Sequence, residues 1–227
     1  VDHGQVLRPV PTGEYACAID RPWSALPLAE RIDLARAECV RLKTDDRIVD
    51  WSASLWWIAE EQLYLTADGG RTQQRFEYLI PGLSVTANEG SETVSRRYGG
   101  FDLGRQGGLE ILDDVHFFDQ APVIAEEVLE LLTAPNCPTG TMDLLLDPDQ
   151  MYLQIHESIG HPLELDRILG DERNYAGTSF VTLDMLGSYR YGSDLLNITF
   201  DPTIADEFAT YAWDDDGVAA EKQYIIR

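Results

Sequence analysis

Three observations predict an α+β fold, a curved antiparallel sheet with packed helices. Apolar residues recur at helical spacing from Pro27 onward. Residues 46–100 read as a strand meander broken by strong turn signals. Helical periodicity then returns at 122–132 and again after Asp147-Pro148-Asp149.

The elements follow in chain order. Prolines 9, 11, 22 and 27 punctuate the start, leaving room for a short strand over 14–19. Leu28, Ile32, Ala35, Cys39 and Leu42 then form an amphipathic stripe, with Pro27 at its start and Ser24 as a candidate cap. Residues 48–58 and 62–66 are rich in Trp, Tyr, Leu and Ile. Asp68-Gly69-Gly70 is a hairpin signal, and a strand over 71–80 follows it. Strands over 82–87 and 92–98 flank a second turn at Asn88-Glu89-Gly90. Trp51, Trp56 and Trp57 are read as sheet-face packing rather than as a ligand groove.

Glycines 99, 100, 104, 107 and 108 lack the spacing and the lysine of a phosphate loop, so a mobile loop is expected there. An amphipathic helix over 122–132 ends before Pro135 and Pro138, and 143–146 is expected to form a short buried strand. Later strands are expected over 195–199 and 219–226. Asp214-Asp215-Asp216-Gly217 reads as a solvated turn, because the twelfth position of a calcium loop would fall on Ile225.

The 227 residues carry a formal net charge of -23, with a pI near 4.3. A surface of that sign repels phosphate backbones and anionic lipids, so neither nucleic acid nor membrane is an expected partner. Cys17, Cys39 and Cys137 are odd in number and widely spaced, which is no disulfide framework; reduced thiols and a cytoplasmic location are expected. No apolar run is long enough to span a bilayer.

The chemistry concentrates in one segment, His156-Glu157-Ser158-Ile159-Gly160-His161. The familiar zinc pattern, HExxH, places two imidazoles one helical turn apart on one face. Here the spacing is five, which on a regular helix separates the side chains by about 140°. The helix must deform for both to reach one metal. Gly160 loosens the backbone before the second histidine, and Pro162 removes a helix donor after it. A π-bulge would return positions five apart to one face. His156 and His161 are thus candidate zinc ligands, with Glu157 as the general base in an attack by metal-bound hydroxide on a peptide carbonyl. The rival reading of the same residues is a surface HE pair with no metal. His3 and His116 have no ligand-forming neighbours and are taken as incidental.

The run HESIGHPLELD resembles the signature of the TldD/PmbA peptidase family, also called modulators of DNA gyrase. Pro138-Thr139-Gly140 upstream, Gly177-Thr178-Ser179-Phe180, Asp201-Pro202-Thr203 and Trp213-Asp214-Asp215-Asp216-Gly217-Val218 are similar to family segments in the same order. The likeness is good over 120–227 and looser before it. It implies a cytoplasmic zinc peptidase of TldD type acting on small or unfolded peptides. It also implies a dimer, either with itself or with a TldE/PmbA-like subunit. His156 and His161 carry over as ligands and Glu157 as the base. Glu164 and Asp166 match acidic positions that orient a ligand, with a plain capping role as the alternative.

Pro162 and Leu165 stand where the family often has small residues. The family's third ligand is a cysteine further along, so it is expected to lie outside this chain, which reads as a fragment. On this view residues 1–140 are an α+β N-terminal portion. Residues 141–227 are the HExxxH helix and the start of a β-rich C-terminal portion that is cut short. A non-catalytic partner or binding subunit is the competing function. An acidic protein that binds a basic macromolecule is a further one.

Overall fold

A computed structural model describes residues 9–227. The chain forms two compact units. The first takes in Val1–Asn136 and Thr199–Gln223, and the second Cys137–Ile198 and Tyr224–Arg227.

The first unit is built on a five-stranded sheet: β1 (Thr12–Ala16), β2 (Ile48–Leu65), β3 (Arg71–Glu89), β4 (Glu92–Gly99) and β5 (Arg105–Gln106). β2 and β3 form a long antiparallel hairpin, from Ile48 opposite Ala87 to Leu65 opposite Arg71. The two runs expected at 48–58 and 62–66 are therefore one strand. Glu60 and Glu61 do not break it because they stand exposed, and Glu61 meets Arg75 of β3 at 3.4 Å. β4 and β5 pair antiparallel with β3, but β1 pairs with it in parallel, so the sheet is not wholly antiparallel.

Side chains alternate across a strand, so β3 presents two faces. Leu79, Leu83, Val85 and Ala87 form a core with residues of α1 (Leu28–Leu42), α2 (Ile111–Asp114) and α3 (Phe117–Leu131). The other face of β3 carries buried Thr72, Gln74 and Phe76. Gln74 Oε1 accepts from the backbone N–H groups of Ala212 and Trp213, and its Nε2 donates to the Trp213 carbonyl at 2.8 Å. Gln106 donates to the Thr210 carbonyl at 2.6 Å. Two buried amides thus satisfy the backbone of a returning segment that has no strand ladder of its own, as buried polar groups require.

Pro27 itself occupies the N-cap of α1, so Ser24 is not needed there. α3 starts five residues earlier than expected, and Pro122 lies inside it. The Pro122 ring offers no N–H to the Phe118 carbonyl. The Arg41 guanidinium donates to that carbonyl instead, while also holding buried Glu38 at 2.8 and 2.9 Å. Trp57 stacks on Trp23 and donates to Glu77, and Trp51 lies under Lys43, so both pack on the sheet.

The glycine cluster is packed rather than loose. A Cβ on Gly99 would lie 2.2 Å from the Pro81 carbonyl oxygen, and one on Gly108 would lie 2.1 Å from that of Arg21. Glycine is required where backbone meets backbone this closely. The Asp214–Gly217 segment is the expected turn. Asp214 Oδ1 accepts from the N–H groups of Asp216 and Val218, between bridged Trp213 and Ala219.

The second unit holds α4 (Pro148–Ile155) and α5 (Leu165–Leu169). The buried strand expected at 143–146 is absent. These residues have no regular secondary structure and are exposed, and no neighbouring strand pairs with them among the described residues. Hydrophobicity alone does not make a strand without a partner edge. The late strands are shorter than expected, β6 (Ile198–Phe200) and β7 (Gln223–Ile226), and pair with each other. No helix among the described residues is long and apolar enough to cross a membrane.

Candidate metal centre

Helix α4 begins at Pro148, whose fixed φ suits a first helical position, with Asp147 at the N-cap. It runs into a π turn over His156–Gly160, closed by the His161 N–H donating to the His156 carbonyl five residues back. Pro162 sits in the 3-10 turn that follows, His161–Leu163. The deformation expected from the five-residue spacing is thus present, at the segment flanked by Gly160 and Pro162.

The π turn brings the two imidazoles together. His156 Nε2 and His161 Nε2 are 2.8 Å apart, with ring planes at 81°. The Glu157 carboxylate reaches to 4.0 Å from His156 Nε2. One donor atom from each of His156, Glu157 and His161 falls within a 4.8 Å cluster. The first two side chains are open to solvent and His161 is partly covered.

The tautomer of His161 follows from its other nitrogen. Nδ1 lies 2.8 Å from Glu164 Oε1 and 3.2 Å from Arg167 Nη2. It cannot both donate to the carboxylate and accept from the guanidinium. The shorter, charge-assisted partner decides for donation. The hydrogen bond from His161, with Arg167 beside it, holds the Glu164 carboxyl below its usual range, so it is present as the anion that accepts. Nδ1 then carries the proton in the neutral ring, and Nε2 keeps a lone pair facing His156.

This arrangement fits a metal. Nitrogens about 2.0–2.1 Å from one tetrahedral zinc stand about 3.3 Å apart. The observed 2.8 Å is about half an ångström closer, within the reach of a small ring rotation. The carboxylate behind His161 is the usual partner of a metal-bound imidazole.

Asp166, the other acidic candidate, does not join the cluster. Its Oδ1 accepts from the backbone N–H of the next residue, Arg167, within the first turn of α5. Cys137 is exposed, and Cys17, Cys39 and Cys137 are not among the clustered donors. Burial raises the Cys17 thiol above its ordinary value. His116 stands in the left-handed region ahead of α3, apart from the cluster, and His3 lies outside the described residues.

Three residues matter here that the sequence did not mark individually. Arg167 donates to Glu164 and to the Ala176 carbonyl, at 3.1 Å. Ser179 Oγ donates to the Pro162 carbonyl at 2.6 Å and accepts from the Val181 N–H at 2.9 Å. Tyr191 donates its hydroxyl to the Ser158 carbonyl. Arg167 at three after Glu164 was a legible ion-pair spacing. The tyrosine contact spans 33 residues and left no sequence signal. A cavity of about 630 Å³ opens beside Leu163, Val181, Met185, Tyr191 and Leu196, but the clustered donors do not line it.

Comparison with known proteins agrees with this site. Residues 139–227 match the family described as PmbA/TldA metallopeptidase C-terminal domain. Metalloprotease MJ0996 of Methanocaldococcus jannaschii is 30% identical over 81% of this chain and 38% of its own length. A metalloprotease of Methanothermobacter thermautotrophicus is 27% identical over 98% of this chain and 48% of its own. A metalloprotease TldD homolog of Buchnera aphidicola is 27% identical over 90% and 42%. The chain thus spans less than half the length of these relatives. A solved structure from Bacteroides thetaiotaomicron, assigned as a modulator of DNA gyrase, superposes with a TM-score of 0.73 at 18% identity, covering 92% of this chain and 45% of that one, and so shares the fold. The motif helix and its π turn lie within residues 139–227, the part of the chain that matches the PmbA/TldA metallopeptidase C-terminal domain, and the relatives that align with the chain are named metalloproteases.

Proposed function

We propose that this chain carries the metal-binding half-site of a zinc peptidase that hydrolyses small or unfolded peptides. The observation that carries the reading is the pair of Nε2 atoms facing each other at 2.8 Å beside the Glu157 carboxylate. His156 and His161 would hold the metal. Zinc, when bound, polarises a carbonyl oxygen and brings the pKa of water down to about 7. Glu157 takes the proton of the attacking water and delivers it to the leaving amine. Its exposure leaves it free to move between those two positions. Glu164 keeps His161 in the tautomer that presents Nε2.

Zinc held by two imidazoles needs a third protein donor, and a thiolate or imidazole beyond residues 1–227 is proposed for it. The same reading takes the protein as cytoplasmic and dimeric, with itself or a TldE/PmbA-like subunit. A second reading, a non-catalytic partner subunit, draws on the finding that the described residues cluster only two imidazoles and one carboxylate.

The test is metal content and cleavage of an unfolded peptide by the intact protein and its Glu157→Gln variant. The peptidase reading expects about one zinc per chain in both and cleavage only with Glu157. An intact protein that binds no zinc, or a variant that cleaves as well as its parent, overturns it in favour of the partner subunit.

A further inference from the structure

Pro162 leaves a vacancy in the backbone ladder at the metal centre. In the α register, the Ser158 carbonyl would accept from the N–H of residue 162. Proline has none. Ser158 is the middle residue of the π turn, and an unpaired carbonyl there would favour rearrangement of the turn. The Tyr191 hydroxyl donates to this carbonyl. Burial and the neighbouring Tyr189 raise the Tyr191 pKa, so the phenol remains a donor through the neutral range. Two residues beyond the π turn, Ser179 clamps the Pro162 carbonyl and is itself fixed by the N–H of buried Val181. Ile159, on the inner side of the same turn, is buried.

We infer that Tyr191 is a positioning residue for the metal centre: its hydroxyl stands in for the missing Pro162 N–H and so holds the π turn that makes His156 and His161 converge. Opening of the turn would release the His161 N–H from the His156 carbonyl and let the two side chains move apart, toward the separation of about 140° on a regular helix, and a shared ion would lose one ligand. Tyr191 touches neither imidazole. It acts through the backbone of Ser158. The inference rests on the proposed role of the two histidines as ligands, but the state of the turn can be read without any metal.

The experiment uses the intact protein, with Tyr191→Phe, Tyr189→Phe and the double variant Tyr191→Phe/Pro162→Ala. Phenylalanine keeps the ring packing against Phe180 and Tyr189. The first readout is amide exchange at His161 in metal-free protein, since that N–H closes the π turn. The second is zinc affinity by chelator competition. Tyr191→Phe should speed exchange at His161 by about 5- to 10-fold and weaken zinc by about 10-fold. Tyr189→Phe should do neither. The double variant, with an N–H restored at residue 162, should recover most of the exchange protection. Unchanged exchange in Tyr191→Phe overturns the inference, as does a double variant no better protected than the single one. If exchange responds as expected but even the unmodified protein takes up no zinc, the tyrosine lock stands and the peptidase reading fails.

Discussion

Glu164 Oε1 sits 2.8 Å from His161 Nδ1, and the carboxylate is shared with Arg167, which also reaches the Ala176 carbonyl. The position and tautomer of His161 are therefore set from behind by α5, one short helix after the motif. Glu164→Gln keeps the shape and can still accept from Nδ1, but it loses the charge that makes the imidazole a strong donor to a metal. Zinc affinity of the intact protein should fall by about 10- to 100-fold, read by chelator competition. Asp166→Asn, on the same turn but without contact to the ring, should change it far less. Equal losses from the two variants would mean that the acidic character of the turn matters and the hydrogen bond does not.

Arg41 joins two groups that would otherwise be stranded: buried Glu38 and the Phe118 carbonyl, which Pro122 leaves without its helical donor in α3. Removing one partner of a buried pair costs more than the pair is worth, because the remaining charge is left in a poor solvent. Arg41 is itself partly exposed, which tempers the figure. Arg41→Ala should destabilise the protein by about 2–3 kcal/mol in denaturant unfolding. The double variant Glu38→Leu/Arg41→Leu should recover part of that loss. A double variant as unstable as Arg41→Ala would place the cost in α3 rather than in the buried carboxylate.

The parts legible in the sequence were those governed by neighbours along the chain. The helix from Leu28 to Leu42, the Asp68-Gly69-Gly70 hairpin and the Asp214 turn each follow from local spacing and turn chemistry, and each is present, although Leu28 and Ile32 of the expected apolar stripe stand exposed and the buried positions of the helix are Glu38 and Leu42. The π turn was legible for the same reason: a five-residue histidine spacing with Gly160 and Pro162 on either side leaves the backbone few other ways to bring the rings together. What was not legible depends on distant partners. The run 143–146 has strand composition and no edge to join. Glycines 99 and 108 look loose until the carbonyls of Pro81 and Arg21 are placed against them. Gln74, Gln106 and Tyr191 are ordinary polar residues in sequence, and only the fold shows which backbone each one satisfies.

The link between α1 and β2 makes a pH prediction. Both oxygens of Asp45 are held by Arg47, at 3.0 Å from Nε and Nη2, and Oδ1 also accepts the Arg47 backbone N–H at 2.9 Å. These bonds, with Lys43 nearby, lower the Asp45 carboxyl to about 2. In the unfolded chain it titrates near 3.9. A depressed folded pKa means that the unfolded state takes up the proton first as pH falls. The contribution of Asp45 is therefore complete above about pH 5, shrinks as pH drops through the unfolded value, and is gone once pH passes below about 2. Unfolding of the protein and of Asp45→Asn, followed from pH 7 down to pH 2.5, should show a stability gap that is constant at first and then narrows below about pH 4. Carboxyl carbon shifts in the folded protein should report the Asp45 midpoint near 2 directly. A gap that persists unchanged to pH 2.5, or a midpoint at the ordinary aspartate value, would mean that the Arg47 pairing is not maintained in solution, and that the entry to β2 is held by the Asp45 carbonyl, which accepts the Ile48 N–H at 3.2 Å, instead of by its side chain.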